Sequence, residues 1–479
     1  MEEAEVLAVK DKIVRGVFAL TTRTFILQII AFISTFILTI LLSPSIFGVF
    51  FLVSAVISFL AYFSDIGLAA ALIQKSSEPR NDELATVFTI QQILVGTIVV
   101  IFVFLSPIIA GFFNLNNDGL FLLQALLVSF FLSSLKTIPS ILLERKLEFK
   151  LLIVPQILET LSFYLVAIIL ALNGKGIASF AWAAIARGVI GVISIYVISP
   201  WRISIGISFQ AFRELITFGL PFQANSILAL IKDDLMTIFL GKILPLSQVG
   251  YIGWAKKWAE VPLRLIMDSV IRVTFPAYAR LQKDQKILGR AIEKSLFFLA
   301  LLTFPATALL IIFIKPFIFI IPKYIKWEPA LSSFYFFAVA SLAAVFSSPL
   351  VNALNAIGKI RITLVLMIMW TVLTWFLVPF FVLIRGFNGV AFAAFIISFT
   401  SFLPLIVMKH YVKFQIIKLT YKPFIATLVM ILFTYPFLIY SQSFTIVIIT
   451  FILAVSIYAF FIYFWMRREL TPYIPRFIR

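Results

Sequence analysis

The 479-residue chain is 62% hydrophobic, only 13% of it is charged, and its mean hydropathy is +1.11, far from the roughly 45 to 50% apolar, 25% charged balance of soluble domains. Such a composition excludes a soluble globular protein and specifies a polytopic helical membrane protein. The net charge of +18, which in a soluble chain would suggest nucleic acid, is explained here by basic loops on one side of a membrane.

The sequence contains no cysteine, which excludes disulfides, thiol catalysis and Cys metal sites, and its one histidine, His410 in a basic loop, argues against a histidine-built metal centre or proton relay. The opening MEEAEVLAVKDKIVRG carries both signs of charge and lacks a cleavable signal pattern, so the first apolar run is expected as a retained helix. The 54 phenylalanines serve as bulky apolar filler and lipid-facing surface.

Apolar windows cut at Pro, Gly and Asn turns and at charge clusters predict fourteen spans. The first six lie near 14–42, 46–72, 84–113, 119–140, 151–172 and 177–199. Eight more lie near 214–241, 248–279, 291–314, 329–351, 362–384, 387–408, 423–440 and 444–466. With this count, loops on the N-terminal side hold 24 Lys and Arg and the opposite loops hold 6. That asymmetry places both termini in the cytoplasm by the positive-inside rule. The opposite-side loop FIKPFIFIIPKYIKWEP is the basic exception, expected to lie on headgroups with Trp327 as anchor.

In the first span Arg23 follows Thr21 and Thr22, a cation either aimed inward or snorkelling toward the headgroups. The second span carries one charge, Asp65. Glu159 in the fifth span and Lys232, Asp233 and Asp234 in the seventh form a deep polar group. Those acids are candidates for proton or sodium coupling or for balancing nearby cations, and the two roles are compatible. Arg187 in the sixth span could join either set.

The eighth span is the anomaly. Lys256, Glu260, Arg264, Asp268 and Arg272 recur every fourth residue with Lys257 alongside, which confines them to roughly 160° of one helix face. From Lys256 to Arg272 the ladder climbs roughly 24 Å, most of the hydrocarbon thickness. Such a face must line a wet cavity or meet paired charges. Four cations against two acids leave two positive charges over. A purely structural ladder needs no surplus; a phosphate or pyrophosphate would use one, by bidentate bonds to Arg.

ILLSPSIFGVF at 40–50 echoes KILPLSQVGYI at 242–252, each joining one apolar span to the next with a Pro and then a Gly. The offset maps the second span onto the eighth and divides the chain into six-helix halves at 1–200 and 201–410, with a hairpin and basic tail at 411–479. The repeat would be parallel, about an axis normal to the membrane, although Pro and Gly turn chemistry also recurs by itself.

The stretches LLSPSIFGVF, FSDIGLAAALIQK, FGLPFQANSILALIKDDLMTIFLGKIL, VGYIGWAKKWAEVPL, VTFPAYARLQKD and PLVNALNAIGK resemble the polysaccharide transporter family. These are the Wzx-type flippases of the multidrug/oligosaccharidyl-lipid/polysaccharide superfamily. The resemblance extends over roughly residues 10 to 420 and is nearest to the branch exporting colanic-acid-like or teichuronic-acid-like units. It implies two pseudo-symmetric six-helix lobes around a central cationic cavity, working by alternating access. The cargo would be a polyprenyl-pyrophosphate-linked oligosaccharide, carried from the inner to the outer leaflet of the cell (inner) membrane. Arg23, Arg264 and Arg272 fall where the family's cavity cations are expected.

The resemblance implies no cofactor beyond a proton or sodium gradient. Membrane lipid and polysaccharide polymerase machinery are the partners it admits, and nucleic acid is not among them. The competing readings are a drug/cation antiporter of the same superfamily, which would want an acid-dominated cavity, and a membrane enzyme of polysaccharide assembly. An enzyme would be expected to carry a sizeable polar loop with clustered acids or metal ligands. No external loop here exceeds about 20 residues.

Overall fold

The computed structural model describes residues 2–75, 77–224, 227–439 and 443–470. Side chains of 2–21, 218–224, 418–419, 439 and 468–470 lie outside the description, so the terminal cations Lys10, Lys12, Arg15, Arg468, Arg476 and Arg479 are not placed. The described residues form helices joined by turns and loops, without strands.

Close packing divides the chain into two compact units, 1–250 and 251–479. The first holds α1 (Glu2–Leu41), α2 (Pro44–Ala61), α3 (Leu68–Gln74), α4 (Asn81–Phe112), α5 (Asn117–Leu135) and α6 (Thr137–Arg145). It continues with α7 (Phe149–Leu172), α8 (Ala178–Ile198), α9 (Phe209–Ala224), α10 (Ile227–Leu230), a π-helical turn (Ile231–Leu235) and α11 (Met236–Ile243). The second unit takes most of α12 (Leu246–Leu281), then α13 (Gln285–Ile320), a 3₁₀ turn (Ile325–Ala330), α14 (Leu331–Ala356), α15 (Ile360–Arg385), α16 (Asn388–Ser398), α17 (Phe402–Tyr411), α18 (Ile417–Ile439) and α19 (Phe444–Leu470).

Twelve helical stretches among the described residues are long and apolar enough to cross a membrane. Two expected spans are not among the twelve. The seventh, 214–241, includes residues 225–226, which lie outside the described residues, and holds a π-helical turn at its Lys232–Asp233–Asp234 triplet; the eighth is continuous as α12 but carries the charge ladder.

In the first unit α8 packs against α5 and α7. Its small residues allow that approach: Ala181, Ala183, Ala184, Gly188 and Gly191 are buried, and a Cβ on Gly188 would stand 2.9 Å from Leu132 Cδ1. Small side chains bring helix backbones together where hydrophobic burial offers no driving force, as in a bilayer.

The predicted second span breaks early. α2 ends at Ala61, and Ile66 (φ 54°) and Gly67 (φ 78°) turn the chain into α3. Asp65 accepts hydrogen bonds from Gly67 N at 2.7 Å and Ala69 N at 3.2 Å, so its charge caps the orphan amides of α3.

The Pro-Gly echo becomes a symmetric contact. A Cβ on Gly48 would lie 1.7 Å from Leu246 O, and one on Gly250 would lie 1.9 Å from Pro44 O. Each glycine thus meets the carbonyl four residues before the other, so the backbones of α2 and the first turn of α12 touch with no room for a side chain.

In the second unit the final hairpin packs on α13. Ala308, Ala426, Met430, Ala454 and Tyr458 form one apolar cluster, and the Tyr458 hydroxyl donates to Leu301 O at 2.6 Å. Trp327 is not a headgroup anchor. It is fully buried, its ring stacked on Trp254 at 5.3 Å and 12°, while Trp254 Nε1 donates to the Tyr324 hydroxyl at 3.2 Å. The basic loop is folded into the end of the unit because its aromatic residues fill the space beside α12.

Candidate functional site: the charged face of α12

The structure separates the faces of α12 as its sequence pattern requires. Trp254, Ala255, Trp258, Ala259, Met267 and Tyr278 are buried. Met267 meets Leu299, Ala300, Phe304 and Val345, and the Tyr278 hydroxyl is hydrogen-bonded to Ser295. Lys257, Arg264, Asp268 and Arg272 are exposed, with Lys256 and Glu260 half-buried beside them. One side of a span-length helix is therefore fixed by aromatic packing and the other offers charge.

Within that face Arg264 is held by Glu260. Its Nε and Nη2 donate to Oε2 at 3.1 and 2.7 Å, one turn apart on the helix. The arginine side chain nevertheless remains 64% exposed while the glutamate is 21% exposed. The carboxylate anchors one edge of the guanidinium and leaves the rest reachable, a geometry that can exchange one anionic partner for another. Pro262 and Pro276 lie inside α12; each removes a backbone donor and so frees a carbonyl one turn back along this wall.

The remaining expected residues lie in the first unit, in separate places. Glu159 is buried and bridges two cations, accepting from Lys136 Nζ at 2.6 Å with Arg187 Nε at 3.8 Å. It presses against Gly191, where a Cβ would come within 2.6 Å of its Oε1. The carboxylate is thus balanced within its own unit, and Arg187, unassigned from sequence, joins it. Lys136 was missed because it lies near the end of the predicted span 119–140, just past the end of α5, where a cation reads as an ordinary loop charge.

Asp233 lies 3.7 Å from Lys232, and Asp234 accepts from Ser58 Oγ at 2.9 Å. Both stand in the π-helical turn, a local widening that is frequent at functional positions. Arg23 stands one residue into the apolar stretch Thr22–Leu41, and it acts on Glu144 of α6. Burial pushes the Glu144 carboxyl above the usual range, and the Arg23 charge opposes that rise.

A bundle of apolar helices, with one long helix that carries a charged face, defines a multi-span membrane protein. The family described as "Polysaccharide biosynthesis protein" matches residues 37–331, more than half of the chain, and the chain belongs to that family. It is 24% identical over 351 residues to an uncharacterized membrane protein in the cps region of Klebsiella pneumoniae, covering 72% of this chain and 71% of that one. It is 23% identical over 264 residues to the succinoglycan biosynthesis transport protein ExoT of Rhizobium meliloti, covering 55% of this chain and 53% of the relative. The fold is similar to that of the lipid II flippase MurJ in an inward closed conformation, with TM-score 0.74, 16% identity and coverage of 94% of this chain and 99% of that one.

Proposed function

We propose that this protein is a flippase. It carries polyprenyl-pyrophosphate-linked oligosaccharide repeat units from the inner to the outer leaflet by alternating access, and it is a transporter rather than an enzyme. The observation that carries the reading is the exposed, cation-rich face of α12 in a member of a polysaccharide biosynthesis family. A charged, hydroxyl-rich headgroup crosses hydrocarbon only at prohibitive cost. A wet cationic wall gives it counter-ions and hydrogen bonds while the polyprenyl tail stays in lipid.

Lys256, Lys257, Arg264 and Arg272 supply the pyrophosphate contacts, with Arg23 as a further cation. Glu260 and Asp268 keep the cations satisfied when no cargo is present. Glu159, Asp233 and Asp234 balance charge in the first unit and are the groups through which a proton or sodium gradient would act. Equal binding in two states shifts nothing, so net export draws on such a gradient or on removal of product by polysaccharide polymerase machinery. The 24 to 6 loop asymmetry supports an inner-membrane location with both termini in the cytoplasm. Residues 1–200 and 201–410 form the repeated lobes and 411–479 the added hairpin and tail.

Single replacements Arg264→Ala and Arg272→Ala test the reading through export of surface polysaccharide, with membrane abundance measured alongside. Loss of export at unchanged abundance is expected; unchanged export by both variants refutes the assignment.

A further inference from the structure

Between α8 and α9, residues 201–208 lie outside any helix, and their environments are unlike. Gly206 N donates to Thr89 Oγ1 at 3.0 Å and Ser208 N to Thr86 Oγ1 at 2.9 Å, while Thr86 donates to Asp82 O. Trp201 packs edge-on against Phe88 at 5.1 Å. Trp201, Gly206 and Ser208 are thereby tied to α4. Ile203, Ile205, Ile207 and Phe209, the first residue of α9, are instead 56, 82, 62 and 76% exposed. Large apolar side chains thus stand exposed at every second position from 203 to 209.

The row stands at an end of the bundle. It begins a few residues after Ile198, where α8 stops, and rests on the first three turns of α4, beside the acidic start at Asp82 and Glu83. Next to it α9 buries Ala211 and turns Leu215 into a core shared with Leu72, Leu84, Phe88 and Ile138. Arg202 and Arg213 are exposed beside the row.

We propose that residues 203–209 are a bilayer-docking strip: the apolar row inserts into the headgroup–acyl boundary and Arg202 and Arg213 engage anionic headgroups. A continuous exposed apolar row with flanking cations, held next to the end of a spanning helix, matches what that boundary accepts. The strip ties the connection between the sixth and seventh predicted spans to the membrane surface. It stands independently of what the protein transports.

The chain has no cysteine, so single-cysteine spin labels read this directly. Full-length I203C, I205C, I207C and S204C variants, each eluting as wild type does, would be labelled in vesicles of phosphatidylethanolamine and phosphatidylglycerol. Labels at 203, 205 and 207 are expected to be several-fold more accessible to oxygen, and several-fold less to a water-soluble nickel chelate, than the label at 204. A nickel accessibility at 205 equal to that at 204 overturns the proposal. So does loss of access to both reagents along the row, which would mean that a second copy or another protein covers it. If a variant fails to fold, F209C takes its place.

Discussion

The charges in this membrane protein behave according to how each is partnered. Glu159 is tightly constrained, buried between Lys136 and Arg187. Glu159→Gln should destabilise by about 1–3 kcal/mol by leaving the largely covered Lys136, 15% exposed, without its counter-ion. Arg187→Ala should cost far less, since that side chain is 56% exposed. Thermal unfolding in detergent would rank them, and equal losses would contradict the assignment. Glu144 gives a pH test. Because its carboxyl titrates above the ordinary range, its contribution is fully present below the unfolded-state value and is lost as pH rises through the folded-state value. Glu144→Gln should therefore flatten the fall in stability between the unfolded-state and folded-state values; an unchanged pH profile would show that burial is not felt there. At this scale the sequence exposed the deep charges of α12 through their four-residue spacing. It did not reveal the Lys136–Glu159–Arg187 grouping, because no local periodicity relates three residues on different elements.

Helices and turns were legible where hydropathy and turn residues agreed. The long apolar spans could be read to within a few residues, and the two faces of α12 followed from its pattern. The break after Ala61 was not legible, because an apolar window smooths over a short turn, whereas the structure uses Asp65 as a cap there. Trp327 misled for a different reason: a tryptophan near a predicted membrane end suits a headgroup anchor, and only tertiary packing shows it stacked on Trp254. Trp327→Ala should then lower stability by about 3–5 kcal/mol through the cavity left behind, and a surface-anchor loss of under 1 kcal/mol, which melting curves would detect, would restore the other reading. The glycine echo gives a companion test. Gly48→Ala and Gly250→Ala place a methyl against backbone carbonyls that cannot yield, so both should reduce the folded fraction. Gly96→Ala, with nothing within 4 Å of the added Cβ, should leave it unchanged or improved because alanine is the better helix former.

Across the whole molecule, composition announced the membrane and sequence motifs announced the family. The expected eighth span, α12, is a continuous helix that misses the apolar criterion because it carries the charge ladder. A bilayer tolerates such charge only where protein or water receives it, so this weak membrane signal marks the face proposed to meet the cargo. This links the fold to a cargo with a charged head and an apolar tail. The most direct test is conditional depletion of the protein, with the leaflet of each polyprenyl-linked intermediate then determined by its accessibility in spheroplasts. The account predicts that complete pyrophosphate-linked repeat units accumulate in the inner leaflet and are cleared when wild type, but not Arg264→Ala, is restored. Accumulation of truncated units, or of complete units already in the outer leaflet, would contradict it.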